Sequence, residues 1–506
     1  VKVRVIHVAL LSCLSAGLAW GLGEKVNLLD PPQGLFSDEW TTVELTGDKI
    51  GYSHTTMSRD GDNITTRSLT YFKLSRAAQP IVVSMLQSTR ETVAGEPMEF
   101  ESAMEMAALA TKTRGRIVDG KVHITSSQFG VESKQTTDYP KGAKMLWGLF
   151  RAGIEHGFKI GTTYELDMYE PSLSTDAALR IETVVGEQVE IDVMGEPRKA
   201  TKVTSSMTLG ATSYDSTTFV DEDGTVLIGE VPIAGMTLRM ISTDKATALA
   251  DFEPPEFFVN TLIEIDRPID REKTEVIRYT LRLDDDDRPM PELPVTAMQK
   301  PGPRTEQSAA VEVRRVDVER LKAVETTRVP DDIREYLRSS PTLNIEDGAI
   351  RKMATEAAGD EKKPYALADK LRVYVTDVIN EKNLNVGFAT AGEVCRSRQG
   401  DCSEHSVLLA ALGRVVGLPS RVVVGLAYVS SFGGKKDVFG FHMWTQFYIG
   451  DQWVDFDAAL RESDCSPARI ALATSSLNTA ALGDIAFSIV NVITGLKVEI
   501  NAVETR

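Results

Sequence analysis

The chain has 506 residues, enough for two to four domains and an ample core. Hydrophobic and charged fractions of 42% and 25% are ordinary for a globular protein. A net charge of −17 argues against nucleic-acid binding and against electrostatic docking on anionic lipid, and it favours solubility.

In chain order, Lys2 and Arg4 precede an apolar run from Val5 to Trp20, and Gly17-Leu18-Ala19 supplies small residues at cleavage spacing. Residues 1–22 therefore read as a secretory signal, which places the protein outside the cytoplasm, periplasmic or secreted. The run is short for a membrane span. Membrane association is expected only through an uncleaved signal or a lipid on Cys13, which follows Leu10-Leu11-Ser12. After a linker, residues 37–265 are mostly strand, punctuated by tight-turn pairs at Asp60-Gly61, Asp119-Gly120 and Asp223-Gly224. Met145 to His156 is the main helical interruption. Many consecutive antiparallel strands imply one large sheet curled as a half-barrel, or a sandwich.

Residues 266–330 read as a strand extension, Thr274 to Leu283, followed by a connector stiffened by Pro289, Pro291, Pro294, Pro301 and Pro303. A short strand, Val311 to Val318, closes it. Between them Asp284 to Asp287 lack the spacing of a calcium loop and read as a solvated tip. From 331 to 500 the pattern is α+β. Ala349 to Ala358 and Tyr365 to Ile379 are helical, with Leu371, Val375 and Val378 as an inward stripe.

The informative stretch begins at Gly400. Val407, Leu408, Ala411, Leu412 and Val415 recur at helical spacing, with Asp401 as N-cap and Glu404 completing a capping box. Cys402 then lies in the first turn, where the helix dipole and unpaired backbone N–H groups favour an anionic sulfur. A valine-rich strand follows from Ser420 to Tyr428. Phe441 to Ile449 and Trp453 to Asp457 alternate around Gly450-Asp451, which is a hairpin signature. A two-residue loop there sets Trp444 opposite Asp457 and makes His442 and Asp457 diagonal neighbours on one face. Asp455 faces the same side opposite Gln446, one step further from His442. Cys402, His442 and Asp457 are thus nominated as nucleophile, base and orienter, with Asp455 as the fallback acid. His405, three residues after Cys402, is the rival base and is read as structural. Arg421 is read as salt-bridged to a core acid. Beyond Cys13, the chain has three cysteines, Cys395, Cys402 and Cys465, so at least one thiol stays unpaired by a disulfide within the chain. No clustered histidines or Cys-x-x-Cys spacing call for a metal, and no cofactor is expected.

Gly400-Asp401-Cys402, Glu404-His405, Gly417-Leu418-Pro419-Ser420-Arg421, His442-Met443-Trp444 and Trp453-Val454-Asp455-Phe456-Asp457 together resemble the core of the transglutaminase-like superfamily. The resemblance spans about 330–470. It implies a cysteine-bearing helix packed on an antiparallel sheet, with Cys402 as nucleophile, His442 as base and Asp457 as acid. The family commonly continues with Pro-Thr after the acid, where this chain has Ala458-Ala459. The implied activity is a cysteine acyltransferase acting on amide groups of a protein or peptide through a thioester. Water as acceptor would make it a protease or amidase, and a degenerate core would leave a peptide-binding module.

Overall fold

The structure, a computed structural model, describes residues 27–506 except 77–78, 107–108, 129–130, 172–175, 210–211, 223, 234–235, 257–258, 285–288, 383–388, 478–491 and 493–494. The expected secretory signal, Cys13, Asp223 and most of the acidic run 284–287 lie outside the described residues. The chain divides into two compact units. Described residues up to 255, apart from 76 and 79, build the first, and described residues from 256 onward build the core of the second.

The first unit is one antiparallel sheet of 14 strands. Strands Gly34–Leu45 to Val131–Asp138 follow one another as neighbours. Gly34–Leu45 pairs on its other side with Met236–Thr243, from which the order runs back to Thr163–Met168. Short turns explain this meander: at Asp119-Gly120 both residues have positive φ, 50° and 70°, which closes a two-residue hairpin with Val118 opposite Lys121. Alternating burial along Leu179–Val193 sends Leu179, Ile181 and Val185 to an inner face. Segment 143–150, leading into the helix Leu146–His156, fills that face. Leu149 packs with Leu179 and Ile181, Trp147 with Met57 and Ile64, and Met145 with Phe100 and Val122. One sheet whose two arms meet the same helical segment is the half-barrel of the two expected forms.

The second unit has three layers. Helices Gly348–Ala358, Pro364–Val378, Ala391–Ser397 and Cys402–Val415 cover one face of a central sheet. That sheet runs Ile263–Glu264, Lys435–Ile449, Ser420–Phe432, Arg469–Ser475, with Gln452–Phe456 also on Lys435–Ile449. Leu371, Val375, Leu408 and Leu412 meet Val422, Phe447 and Phe456 on the helix side. A second sheet, in the order Gln299–Arg304, Ser308–Arg314, Thr274–Leu283, Leu496–Thr505, packs on the central sheet through a separate apolar cluster. There Tyr279, Leu281, Val311 and Val498 meet Leu426, Phe439 and Ile470. The central strand from Ser420 to Tyr428 is buried on both faces, which accounts for its unbroken apolar run.

The second sheet corrects the expected connector. Within residues 266–330, the strands Thr274–Leu283, Gln299–Arg304 and Ser308–Arg314 are not free linker but part of the third layer of this unit, while Leu321 packs with the helices. Prolines lack an N–H for a ladder and are confined to sheet edges. Pro301 and Pro303 lie on Gln299–Arg304, the edge strand, while Met290, Leu293 and Met298 are buried beneath. The unit also begins at 256, ahead of the boundary expected at 265. Among the described residues no helix is long and apolar enough to cross a membrane.

Candidate active site

The sequence around Cys402 dictates its position. Asp401 has extended backbone and its side chain accepts from Ser403 N–H at 2.9 Å, while Glu404 accepts from Asp401 N–H at 2.9 Å. This capping box starts the helix at Cys402, which is half-buried in its first position. Gly400 has φ +148°, and a Cβ there would meet the Glu404 Cβ at 2.2 Å, so the Gly-Asp-Cys spacing follows from the cap itself. Glu404 is fully buried, and that burial, with the negative charge of Asp401, pushes it up to about 8. Further along, a Cβ on Gly413 would lie 2.1 Å from Phe447 Cε1. The missing side chain lets the cysteine helix approach the strand that carries His442.

The hairpin adopts the expected register. Gly450 and Asp451 have φ of 58° and 63°, a two-residue loop of type I′ character, and Gln446 pairs with Asp455 and Thr445 with Phe456. The ladder stops there. Asp457 instead exchanges backbone hydrogen bonds with Glu462, at 2.7 and 2.8 Å, so the chain turns back on itself after Asp457. Its Oδ1 accepts from Leu460 N–H at 2.8 Å and its Oδ2 from His442 Nε2–H at 2.7 Å. The Ala458-Ala459 departure fits within this turn: Ala458 is buried and its carbonyl accepts from Thr376 Oγ1 at 2.7 Å. The Cys402 sulfur lies close enough to His442 for its charge to act on the imidazole. Burial opposes the imidazolium, but the Asp457 carboxylate and the Cys402 sulfur outweigh it and push His442 up to about 10. Burial likewise opposes charge on Asp457, yet His442, Arg469 and the Leu460 N–H hold it well below the usual carboxylate range.

Residues 351–458 match the family model of the transglutaminase-like superfamily. They are a transglutaminase-like domain. No curated protein matches the chain. Among solved structures, a "putative cysteine protease" of Cytophaga hutchinsonii aligns at 16% identity over 46% of this chain and 87% of its own, with a TM-score of 0.30. The "hypothetical lipoprotein YmcC" of Escherichia coli aligns at 10% identity over 42% and 90%, TM-score 0.17. A "putative protease" of Parabacteroides distasonis aligns at 9% identity over 74% and 68%, TM-score 0.19. All three scores lie below 0.5, so the assignment of the domain rests on the family model.

Within the transglutaminase-like domain the other nominated residues separate clearly. Asp455 is buried and accepts from Gln446 Nε2 at 2.5 Å, and burial pushes its pKa upward. Gln446 Oε1 accepts from Arg421 Nε at 2.7 Å, and the Arg421 guanidinium lies 4.3 Å over the Trp453 ring. Among the described residues Arg421 makes no direct ion pair with a core acid and is hydrogen-bonded to Asp455 through Gln446, a correction to the direct salt bridge expected. His405 is buried and its Nδ1 donates to Asp401 O at 2.6 Å, which ties it to the helix start. Cys395, Cys402 and Cys465 are all free thiols, with Cys395 and Cys465 buried. Among the described residues no group of His, Cys, Asp and Glu is placed to hold a metal ion.

The residue missed by sequence reasoning is Arg469, whose Nη1 lies 3.3 Å from Asp457 Oδ2. It opens the strand Arg469–Ser475, whose remaining residues carry no charge. A charged residue on a buried apolar strand needs a buried partner, and that was the signal available in the sequence.

Proposed function

We propose that this protein is a cysteine acyltransferase acting on carboxamide or peptide groups of a protein or peptide through a Cys402 thioester. The observation that carries the reading is the His442 imidazole, hydrogen-bonded through Nε2 to Asp457 at 2.7 Å and electrostatically coupled to Cys402 at the start of its helix. The Cys402 sulfur attacks the carbonyl carbon, and its proton resides on His442. The developing oxyanion is met by the Cys402 backbone N–H at the helix start. His442 then gives its proton to the departing amine as the carbon–nitrogen bond breaks, leaving the thioester. An acceptor loses a proton to His442 and attacks the thioester, which releases the sulfur. Asp457 fixes the imidazole and stabilises its cation throughout.

The acceptor sets the reaction class. A primary amine gives transamidation, and water gives deamidation or proteolysis from the same intermediate. The test uses two separate samples, one incubated with iodoacetamide at neutral pH and one, unalkylated, with a glutamine-containing peptide with or without a fluorescent primary amine, both read by mass spectrometry. Fast alkylation confined to Cys402 and amine incorporation support the acyltransferase. Loss of ammonia or peptide cleavage alone makes the protein an amidase or protease. Alkylation no faster than that of an ordinary thiol rejects the enzyme and leaves a peptide-binding module. The basic-then-apolar opening supports extracytoplasmic action, and recovery of cytoplasmic protein with residues 1–19 intact would contradict it.

A further inference from the structure

Behind His442 the site continues as a line of alternating charges. The Arg469 side chain is only 3% exposed. Its Nη1 lies on Asp457 Oδ2, the oxygen that also accepts from His442. Its Nη2 donates to Glu462 Oε2 at 2.5 Å, and Arg271 pairs with Glu462 in turn. Glu462 is itself locked to Asp457 through the two backbone hydrogen bonds of the turn. The guanidinium also lies 5.1 Å from the ring centre of Trp444, whose indole packs beside His442. A buried guanidinium loses several kcal/mol of hydration and persists only with buried anions around it. Here it has two, and the arginine fork is suited to spanning both.

We propose that Arg469 is the positioning residue of this site: it holds Asp457 from behind, aims Oδ2 at His442, and by sharing that oxygen moderates the grip of Asp457 on the imidazolium. Arg469 acts on the reaction only through Asp457. Glu462 is its counterweight, drawing part of the cation away from Asp457. Among the described residues, the other titratable or charged groups around this line include Cys402 on the helix, Asp455 on the hairpin, Cys465 and Asp464 in the following loop, and Arg271 with Tyr428 beyond Glu462. The inference rests on the proposed reading of Cys402 and His442 as the reacting pair.

The test uses the full chain and two readouts: the His442 titration followed by NMR, and the pH profile of Cys402 alkylation by iodoacetamide. Arg469→Met removes the cation that competes for Oδ2, so the His442 midpoint rises by about half a pH unit or more. The alkaline limb of the alkylation profile moves with it. Glu462→Gln leaves Arg469 wholly to Asp457, and the midpoint falls. Arg469→Lys keeps the charge but not the fork and restores the wild-type midpoint in part. Shifts of opposite sign from two neighbouring substitutions are not produced by general loosening of the fold. Unmoved midpoints in variants that keep wild-type near-UV circular dichroism overturn the proposal. If Arg469→Met does not fold, Glu462→Gln decides alone, and an unmoved or raised midpoint overturns it. Slow alkylation of the wild type with midpoints that still move would reject Cys402 as nucleophile while supporting Arg469. Fast alkylation with unmoved midpoints would do the reverse.

Discussion

Asp455 and Asp457 stand two residues apart, both buried and both on the same face of one hairpin, yet their surroundings divide their chemistry. Asp457 meets an imidazole, a guanidinium and a backbone N–H, while Asp455 has Gln446 as its close donor. Asp457→Asn is expected to lower turnover, or the alkylation rate of Cys402, by roughly two to four orders of magnitude with the fold intact, because the imidazole loses its anchor. Asp455→Asn keeps its acceptor oxygen for Gln446, and rates within about tenfold of wild type are expected. Equal losses in the two variants would show the wrong acid. The pH dependence follows from the same contacts. His442 is raised from its ordinary 6.5 to about 10, so its pairing stabilises the fold fully below about 6.5 and is lost as the pH rises through 10. Asp457, depressed, contributes above the ordinary carboxylate range and loses that contribution as the pH falls through its folded value. Urea unfolding should therefore show wild-type stability falling between pH 7 and 10, and falling less steeply in Asp457→Asn.

At the scale of elements, the placement of Cys402 against His442 depends on how closely the cysteine helix sits on the strand Lys435–Ile449. Gly413 sets that approach, since a methyl group there would overlap the Phe447 ring. Glycine ordinarily weakens a helix interior, and Gly413→Ala on an open helix would stabilise it. In this contact the sign reverses. Gly413→Ala is expected to destabilise by about 1–3 kcal/mol through overpacking. It should also slow Cys402 alkylation, because the helix is pushed away from His442. A rise in melting temperature would show that Phe447 yields and that the contact is loose. The cap acts at the other end of the same helix. Gly400, Asp401 and Glu404 together fix where it starts, and therefore where Cys402 lies relative to the unpaired N–H groups.

At the scale of the whole molecule, the central sheet is held by chain from both sides of the matched domain. Thr274–Leu283 and Leu496–Thr505 pair with each other and bury Leu496, Val498 and Ile500 behind the central sheet. Burial of these three side chains is worth roughly 5–9 kcal/mol, comparable to the stability of an entire domain. Deletion of residues 496–506 should therefore unfold or aggregate the second unit, even though no nominated site residue is removed. A truncated chain that still alkylates Cys402 at the wild-type rate would show that the third layer is dispensable.

The sequence by itself determined what depends on neighbours in the chain. The capping box at Asp401 and Glu404, the two-residue turn at Gly450-Asp451 and the strand alternation around it are local, and a local turn fixes register for several residues on either side. That was enough to bring His442 onto Asp457 and to distinguish Asp457 from Asp455. The meander of the first unit was legible for the same reason, because each tight turn commits its two strands to be neighbours. Only the tertiary structure decided which distant pieces complete these elements. Arg469, Glu462 and Arg271 join the site through contacts that no periodicity encodes. The proline-rich stretch became an edge strand because Ser308–Arg314, Thr274–Leu283 and the chain's last strand assemble beside it. Whether a strand lies in a sheet or in a linker depends on residues far along the chain, and whether Arg469 faces water or a carboxylate depends on how the turn after Asp457 folds back, which the local pattern does not carry.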